Sequence, residues 1–211
     1  MKHPIIILLF VYVSFAVKAQ QTLPDSLKIA FQEATNDSVQ FKVSRAIYTF
    51  YEETNRDSAL HYAELRYAIA KKYNRPIEEA HTQGQIAYQQ IFLGRFSEAL
   101  KNLTEAIQLA NTTKDADTWE LTPFNTPGKS RQITLAMLNH MYAHLKMQTG
   151  SNESIHYFDE GRKIGLAIGN DFRVTVGDMM LASNYLKLNQ PDSALIYAIE
   201  GERYAIRGGI S

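Results

Sequence analysis

The chain repeats a short pattern four times, and the spacing of the copies constrains the fold more than any other feature. The copies occupy residues 56–60, 96–100, 152–155 and 191–195. The step from Ala59 to Ala99 has the same length as the step from Ser154 to Ala194, whereas the step between Ala99 and Ser154 is longer. A recurring spacing of about 40 residues is typical of a solenoid, in which each repeat buries its apolar face against its neighbours.

Each copy of the pattern has the features of a helix start. Its polar residue can accept a hydrogen bond from the free amides of a first turn, and apolar residues follow at helical spacing. The expected capping residues are Asp57, Ser97, Asn152 and Asp192. A second apolar-periodic stretch precedes each copy, and breakers such as Gly94 and Gly150 separate the two stretches. The repeating unit is therefore predicted to be a helical hairpin.

Small residues recur at a fixed interval of two helical turns in the second helix of the later units. The pairs are Ala99 with Ala106, Ser154 with Gly161, and Ala194 with Gly201. Each pair lies on one helix face, where a neighbouring helix can approach closely. The first unit departs from this pattern because it has Arg66 where a small residue is expected, as terminal repeats often do.

The N-terminus has the features of an export signal. Residues 1–19 combine a short basic start, an apolar stretch and small residues at a cleavage position, so we predict a signal peptide that is cleaved between Ala19 and Gln20. The alternative is an uncleaved N-terminal anchor. The mature protein is accordingly expected to be exported to the periplasm.

The mature chain is predicted to contain a cap helix and one repeat domain. Residues 20–36 form the cap, with Pro24 suited to a helix start. The repeat domain covers residues 37–211, with a loop inserted at 112–129. This loop is either functional or a linker whose Trp119 packs on the next unit. The units are predicted at about 37–74, 75–111, 130–169 and 170–207.

The composition argues against several classes of function. The chain has 22 basic and 22 acidic residues, so it lacks the positive excess that binding to nucleic acid or an anionic membrane requires. It has no cysteine, and neither a glycine-rich phosphate loop nor a G-x-S-x-G turn occurs in it. We predict a protein that is not an enzyme and has no cofactor. Nucleic acid is not expected as a partner, and a membrane is expected to be reached only through a segment downstream of this region.

His140 and His144 have the i, i+4 spacing that places two imidazoles on one helix face. Met141 follows His140, so the glutamate of the H-E-x-x-H zinc motif is absent, and no nearby carboxylate supplies an evident third ligand. We interpret both histidines as packed or exposed side chains and predict no metal site.

The units resemble the tetratricopeptide repeat (TPR). The second unit carries the resemblance best, with Ile86, Ala87, Gly94, Phe96, Ala99, Leu103 and Ala106, and the fourth follows with Leu181, Ala182, Tyr185, Ala194 and Gly201. Gln83 stands where the family usually has a large aromatic residue, and no proline closes the units. The period of about 40 residues also exceeds the usual period of about 34, which implies longer helices or turns. The resemblance implies an all-α, right-handed solenoid of about four helical hairpins.

In this family the first helix of each unit lines a concave binding surface. The resemblance therefore implies a groove that holds an extended or helical segment of a protein or peptide ligand. The residues expected to line this groove are His81, Gln85, Tyr88, Asn139, Ala143, Lys146, Met179 and Ser183. Dimerisation of the array is a further expectation.

Export and the repeat array together resemble the N-terminal part of bacterial membrane-bound signalling proteins. In those proteins the array precedes a transmembrane helix and then a histidine kinase or a DNA-binding domain. We therefore expect a protein-interaction or ligand-sensing module at the N-terminus of a longer signal-transduction protein, either a histidine kinase or a transcriptional regulator. The alternative is a complete soluble periplasmic scaffold that assembles other proteins.

Overall fold

The computed structural model describes residues 22–114, 119, 121, 126 and 128–210. The predicted signal peptide and most of the inserted loop lie outside these residues. All regular secondary structure in the described part of the chain is helical. The helices are α1 Asp25–Gln32, α2 Asp37–Tyr51, α3 Arg56–Lys72, α4 Pro76–Phe92, α5 Phe96–Thr112, α6 Ser130–Gln148, α7 Ser154–Ile168, α8 Asp171–Lys187 and α9 Pro191–Arg207.

The helices form four antiparallel hairpins that stack on one another. Each helix packs against the next one in the chain, from α1 on α2 to α8 on α9. In addition, α4 contacts α6 and α6 contacts α8, so the first helices of the second, third and fourth hairpins lie side by side. The predicted all-α, TPR-like helical solenoid is confirmed.

The long repeat period comes from long helices and not from long turns. Helices α3, α4, α5, α8 and α9 each contain 17 residues. The connections inside the hairpins are short, because helices end at residues in the left-handed region such as Gly94 (φ 73°) and Gly150 (φ 77°). Glycine adopts this conformation without steric cost, which is why these breakers mark the turns.

The predicted helix caps are wrong. Asp57 already lies in the first turn of α3, and the side chain of Asn55 accepts the capping hydrogen bond from the amide of Ser58 at 3.0 Å. Helices α5, α7 and α9 begin without a capping hydrogen bond from a side chain. Asp57 and Asp192 contribute instead through the favourable interaction of a negative charge with the N-terminal end of a helix dipole.

The small residues of the repeated pattern lie where helices come close together. A Cβ atom on Gly161 of α7 would lie 2.8 Å from the carbonyl oxygen of Ala136 on α6, and it would clash with the imidazole of His140 on the same helix. Ala99 and Ala106 of α5 are fully buried in the same way against their neighbours. Close helix packing accounts for the small residues at Gly161, Ala99 and Ala106.

We expect Gly161→Ala to destabilise the protein by about 1–3 kcal/mol, because the added methyl group overpacks the α6–α7 contact. The higher helix propensity of alanine, worth about 1 kcal/mol, offsets part of this cost. Ala167→Leu on the exposed side of the same helix is the matched control and should change stability little. Urea unfolding followed by circular dichroism measures both variants. Equal stability of Gly161→Ala and wild type would contradict the close contact.

Helix α4 is buried over most of its length, and its glutamines replace apolar packing by hydrogen bonds. Gln83, which departs from the TPR pattern, donates to Glu105 Oε2 at 2.8 Å on α5. Gln90 accepts from Asn102 Nδ2 at 2.8 Å, and Gln89 donates to the hydroxyl of Tyr48 at 3.0 Å on α2. Buried amides are tolerated because each finds a partner. Gln83 and Gln90 therefore connect the two helices of the second unit, whereas Gln89 connects this unit to the first.

Candidate functional site

The first helices of all four hairpins surround one cavity of about 220 Å³. Helices α4, α6 and α8 lie side by side, and α2 contributes to the same cavity, so the cavity lies on the side of the solenoid that the first helices form, which we call the concave side. The described lining residues are Arg45, Tyr48, Thr49 and Glu52 of α2, His81 and Gln85 of α4, Leu121 of the loop, Met137 and Met141 of α6, and Phe172 and Arg173 of α8.

Helix α2 supplies a carboxyl group and a phenol to the cavity. Burial, and next the charge of Glu53, raise the pKa of Glu52 to about 7, while Arg56 and Arg173 oppose this shift. Tyr48 is almost fully buried, and its hydroxyl accepts the hydrogen bond from Gln89, so its own proton can be donated. Near neutral pH, Glu52 is therefore only partly ionised.

Helix α4 supplies His81 and Gln85. Burial holds the pKa of His81 well below its usual range, and the charges of Arg66, Arg173 and Arg45 act in the same direction. Its Nδ1 lies 3.4 Å from the hydroxyl of Thr134. The carbonyl oxygen of Gln85 accepts a hydrogen bond from Nη1 of Arg66. His81 is thus neutral and lies in a positive electrostatic environment.

Helix α8 contributes its first turn. The side chain of Asn170 caps this helix by accepting from the amide of Arg173 at 2.9 Å, which fixes the start of α8 next to the cavity. Arg173 is 7% exposed, and burial lowers the pKa of its guanidinium to about 10. Phe172 lines the cavity beside it.

Trp119 and Leu121, two described residues of the inserted loop, pack against the preceding units. The backbone amide of Trp119 donates to Glu78 Oε1 at 2.7 Å, and its ring lies 5.2 Å from that of Phe41 between centroids. Leu121 is buried and lines the cavity. The packing of Trp119 is therefore on the first and second units, in contrast to the predicted packing on the next unit. Leu121 thus belongs to the cavity lining, and a functional role of the loop stays a prediction.

Two of the eight predicted groove residues, His81 and Gln85, line the cavity. Tyr88 lies further along α4 in an aromatic cluster, with its ring 4.9 Å from Phe92 and 5.5 Å from His144, and its hydroxyl donates to Glu53 at 3.0 Å. Tyr88 therefore connects three hairpins, and the expectation that it is a free contact residue is corrected.

The predicted residues of α6 and α8 lie elsewhere. Ala143 is fully buried against Phe158 and Leu181, which leaves it no surface for a ligand. Asn139 donates to the carbonyl oxygen of Leu135 in its own helix, and Lys146 forms an ion pair with Glu153 at 2.5 Å. On α6 the cavity is lined by Met137 and Met141, so the predicted face is rotated by two residues, about half a turn.

On α8 the lining residues are in the first turn, whereas Met179 and Ser183 lie further along the helix. Both side chains are exposed to solvent, and Met179 is 55% exposed. The successive hairpins meet the cavity at different heights, so the same helix position does not line it in every unit. Met179 and Ser183 are therefore surface residues outside this cavity.

Sequence reasoning missed the residues of α2, although a signal for them was present. Arg45 precedes Gln85, and Tyr48 precedes Tyr88, by the same step that separates Ala59 from Ala99. Applying this period to the first helix of the first unit would have found Arg45 as a lining residue. The repeat period does not predict the lining residues of α8, because they lie in the first turn of this helix, whereas those of α4 lie further along the helix.

His140 and His144 pack against Phe158, with ring centroids 6.3 Å and 5.3 Å from that of Phe158. Burial lowers the pKa of His140 to about 3 and that of His144 to about 4. Among the residues that the structure describes, no group of three or more His, Asp or Glu side chains is arranged to hold a metal ion. The two histidines are part of the α6–α7 packing.

The stacked hairpins define a TPR-like helical solenoid. Residues 17–117 match the family model of the SusR N-terminal TPR domain, a range that includes α1 to α5. This part of the chain is thus similar to the N-terminal TPR domain of SusR. No curated protein matches the chain with significant similarity. Repeat domains of this type are typically non-catalytic scaffolds that mediate protein interactions.

Within the described ranges, each helix is either too short or too polar to cross a membrane.

Proposed function

We propose that this protein is an exported, non-catalytic TPR module that senses a ligand or a partner protein on its concave side. The observation that carries this proposal is the cavity to which all four hairpins contribute. A ligand held between the first helices contacts every unit, so it favours the arrangement of hairpins that fits it best. Such differential affinity for two arrangements is the physical requirement for a sensor.

We further propose that the module is the N-terminal sensor part of a longer signal-transduction protein, of the histidine kinase or transcriptional regulator kind. The match to the N-terminal domain of SusR supports this place in a longer chain. Helix α9 supports it too, because Leu195, Ile196, Ile199 and Ile206 are each at least 50% exposed. An exposed apolar face of this kind is typical of a surface that another repeat, domain or partner covers. A complete periplasmic scaffold remains the alternative function.

The experiment that tests this proposal blocks the cavity from inside. Thr49 is exposed and lines the cavity, so Thr49→Trp should fill part of it while changing stability by no more than about 0.5 kcal/mol. Thr104→Trp, at an exposed threonine of α5, is the matched control. The three proteins are produced with their own N-terminal segment, and recovery from the periplasmic fraction with a start at Gln20 is the expected result.

The recovered proteins are then incubated with periplasmic extract of the organism of origin, and bound molecules are identified by mass spectrometry. We expect at least one molecule to bind wild type and Thr104→Trp but to be lost from Thr49→Trp. Identical sets on all three proteins would contradict binding at the concave cavity. Recovery only from the cytoplasm with an intact N-terminus would contradict export.

A further inference from the structure

Arg173 of α8 is a buried charged side chain whose guanidinium makes no hydrogen bond or ion pair within the described part of the chain. It is 7% exposed, and its guanidinium carbon lies 5.3 Å from the centre of the Phe172 ring. Burial of a charged group is unfavourable unless an opposite charge or hydrogen bonds compensate for it. Because Arg173 lines the cavity, it indicates that the cavity is suited to a group that accepts hydrogen bonds.

Glu52 of α2 supplies the carboxyl group of the described lining, and no described residue donates a hydrogen bond to this group. The guanidinium of Arg56 donates instead to the backbone carbonyl oxygen of Glu52 and to the side chains of Glu53 and Gln89. Arg45, the other arginine of the lining, already has an interaction partner. The lining therefore offers a ligand one cationic group and one carboxyl group.

Glu52 and Arg173 lie on helices that do not pack against each other in the described chain, since α2 belongs to the first hairpin and α8 to the fourth. Burial dominates the pKa values of both groups, but the charge of each also acts on the pKa of the other. The two groups are therefore close enough to interact across the cavity, although they form no direct ion pair. A ligand with an oxyanion at one end and a cation at the other compensates both.

The rest of the lining is suited to a small organic molecule between these two groups. The side-chain oxygen of Gln85 accepts a hydrogen bond from Arg66, so its amide nitrogen can donate to a ligand. Leu121, Met137 and Met141 supply apolar contacts. The volume of about 220 Å³ is below the usual range of about 300–1,000 Å³ for ligand pockets, which limits the ligand to about the size of one amino acid.

We propose that the cavity binds a small zwitterion, a free amino acid whose carboxylate contacts Arg173 and whose ammonium group contacts Glu52. A guanidinium pairs with both oxygens of a carboxylate, and a carboxylate accepts charge-assisted hydrogen bonds from an ammonium group. Because the two contacts lie on the first and the fourth hairpin, the bound amino acid favours the arrangement in which these hairpins approach each other. This inference rests on the proposed function, since it names the ligand class of the same site.

The test compares small probes that have the same number of carbon atoms but different charges. L-Norvaline and 5-aminopentanoate carry both charges at a short and a long separation, pentanoate carries only the carboxylate, and pentylamine carries only the ammonium group. Each is titrated to about 20 mM at constant ionic strength and about pH 8, where Glu52, whose pKa is about 7, is mostly ionised. We expect at least one zwitterion to raise the melting temperature of the full chain by at least about 3 °C. The same zwitterion should bind at least about tenfold more tightly than pentanoate and pentylamine.

Two variants assign each end of the zwitterion to its contact in the cavity. Arg173→Gln and Glu52→Gln should each raise the dissociation constant of the zwitterion at least about tenfold, as expected for the loss of a charge-assisted pair. In Glu52→Gln the zwitterion should also lose its advantage over pentanoate, a change that a loss of packing does not produce. Arg203→Gln and Glu202→Gln, at exposed positions of α9 outside the described lining, are the matched controls and should behave like wild type.

The absence of stabilisation by both zwitterions, or equal binding of pentanoate and the zwitterions to wild type, would overturn the amino-acid site. Equal dissociation constants for the cavity variants and the control variants would overturn it as well. Glu52→Gln replaces a partly buried carboxyl group by an amide of similar shape, so it supplies the comparison if Arg173→Gln does not fold. Loss of a bound molecule in Thr49→Trp with no response to either zwitterion would refute the ligand class alone and leave the concave binding function in place.

Discussion

Lowering the pH from about 6.5 to about 4.5 is expected to reduce the free energy of unfolding by about 3–5 kcal/mol. His140 and His144 are buried against Phe158, and burial lowers their pKa values to about 3 and about 4. In the unfolded chain these histidines take up protons below about pH 6.5, whereas in the folded protein they remain neutral. Their contribution is therefore fully present above about pH 6.5 and is lost as the pH falls toward the folded pKa values.

Two other groups modify this loss. His81 acts in the same direction, because its burial and the charges of the nearby arginines lower its pKa. Glu52 acts in the opposite direction. Its pKa is raised to about 7, so the folded protein binds a proton before the unfolded chain does, which stabilises the fold as the pH falls from about 7 toward about 4.5. The net loss of about 3–5 kcal/mol allows for this gain, which is about 2 kcal/mol between pH 6.5 and pH 4.5.

Urea unfolding at both pH values measures the loss of unfolding free energy. A variant of His140 then shows how much of this loss comes from that histidine. His140→Leu should reduce the pH-dependent loss by about 2–3 kcal/mol, because it removes one buried group that titrates only in the unfolded chain. Thr104→Gln is the control, since Thr104 is exposed and has no titratable group, so this change should leave the pH dependence unchanged. Equal stability of wild type at the two pH values would show that these imidazoles are accessible to protons in the folded protein.

The repeat architecture could be predicted from the sequence because it depends on local and periodic signals. The recurring period, the breakers Gly94 and Gly150, and the small residue Gly161 each report a requirement of the backbone: the repeat length, the turn and the close helix contact. These requirements apply to one position at a time. They can be recognised without knowledge of how neighbouring units are rotated.

The binding surface could be predicted only in part because it depends on that rotation. A two-residue error in α6 separates Met141, which lines the cavity, from Ala143, which is buried against α7 and α8. Successive residues of a helix differ by about 100° in direction, so small errors in register exchange core and groove positions. The expected groove therefore coincides with the cavity on part of α4 and departs from it on α6 and α8.

Arg66 and Arg173 illustrate a second limit of prediction from the sequence. Arginine is rarely buried, so the sequence alone favours attributing the departure of Arg66 from the small-residue pattern to its place in a terminal repeat. Both arginines are buried, although they belong to the first and the fourth unit of the chain: Arg173 lines the cavity, and Arg66 donates to Gln85 of the same lining. A buried charge that contradicts the local pattern is better interpreted as a sign of a functional requirement, since it lowers stability unless a partner compensates for it.

The largest effect of a single substitution is expected for Phe158→Ala, which should destabilise the protein by about 3–5 kcal/mol. Phe158 of α7 is fully buried between α6 and α8, where it contacts Ala143 and Leu181. Its ring lies 5.3 Å from the imidazole of His144 in an edge-to-face arrangement. Removing the ring leaves a cavity at the junction of the third and fourth hairpins, and the surrounding helices can collapse into it only partly.

Phe96→Ala is the matched control, because Phe96 belongs to the repeated pattern but is 37% exposed at the start of α5. Its loss should cost no more than about 1 kcal/mol, since little apolar area is removed from the core. Urea unfolding of both variants at neutral pH measures the difference. Because α6 and α8 carry Met141 and Arg173 to the cavity, Phe158→Ala should also weaken ligand binding, whereas Phe96→Ala should not. Similar stabilities of the two variants would contradict the role of Phe158 as the side chain that holds these two helices together.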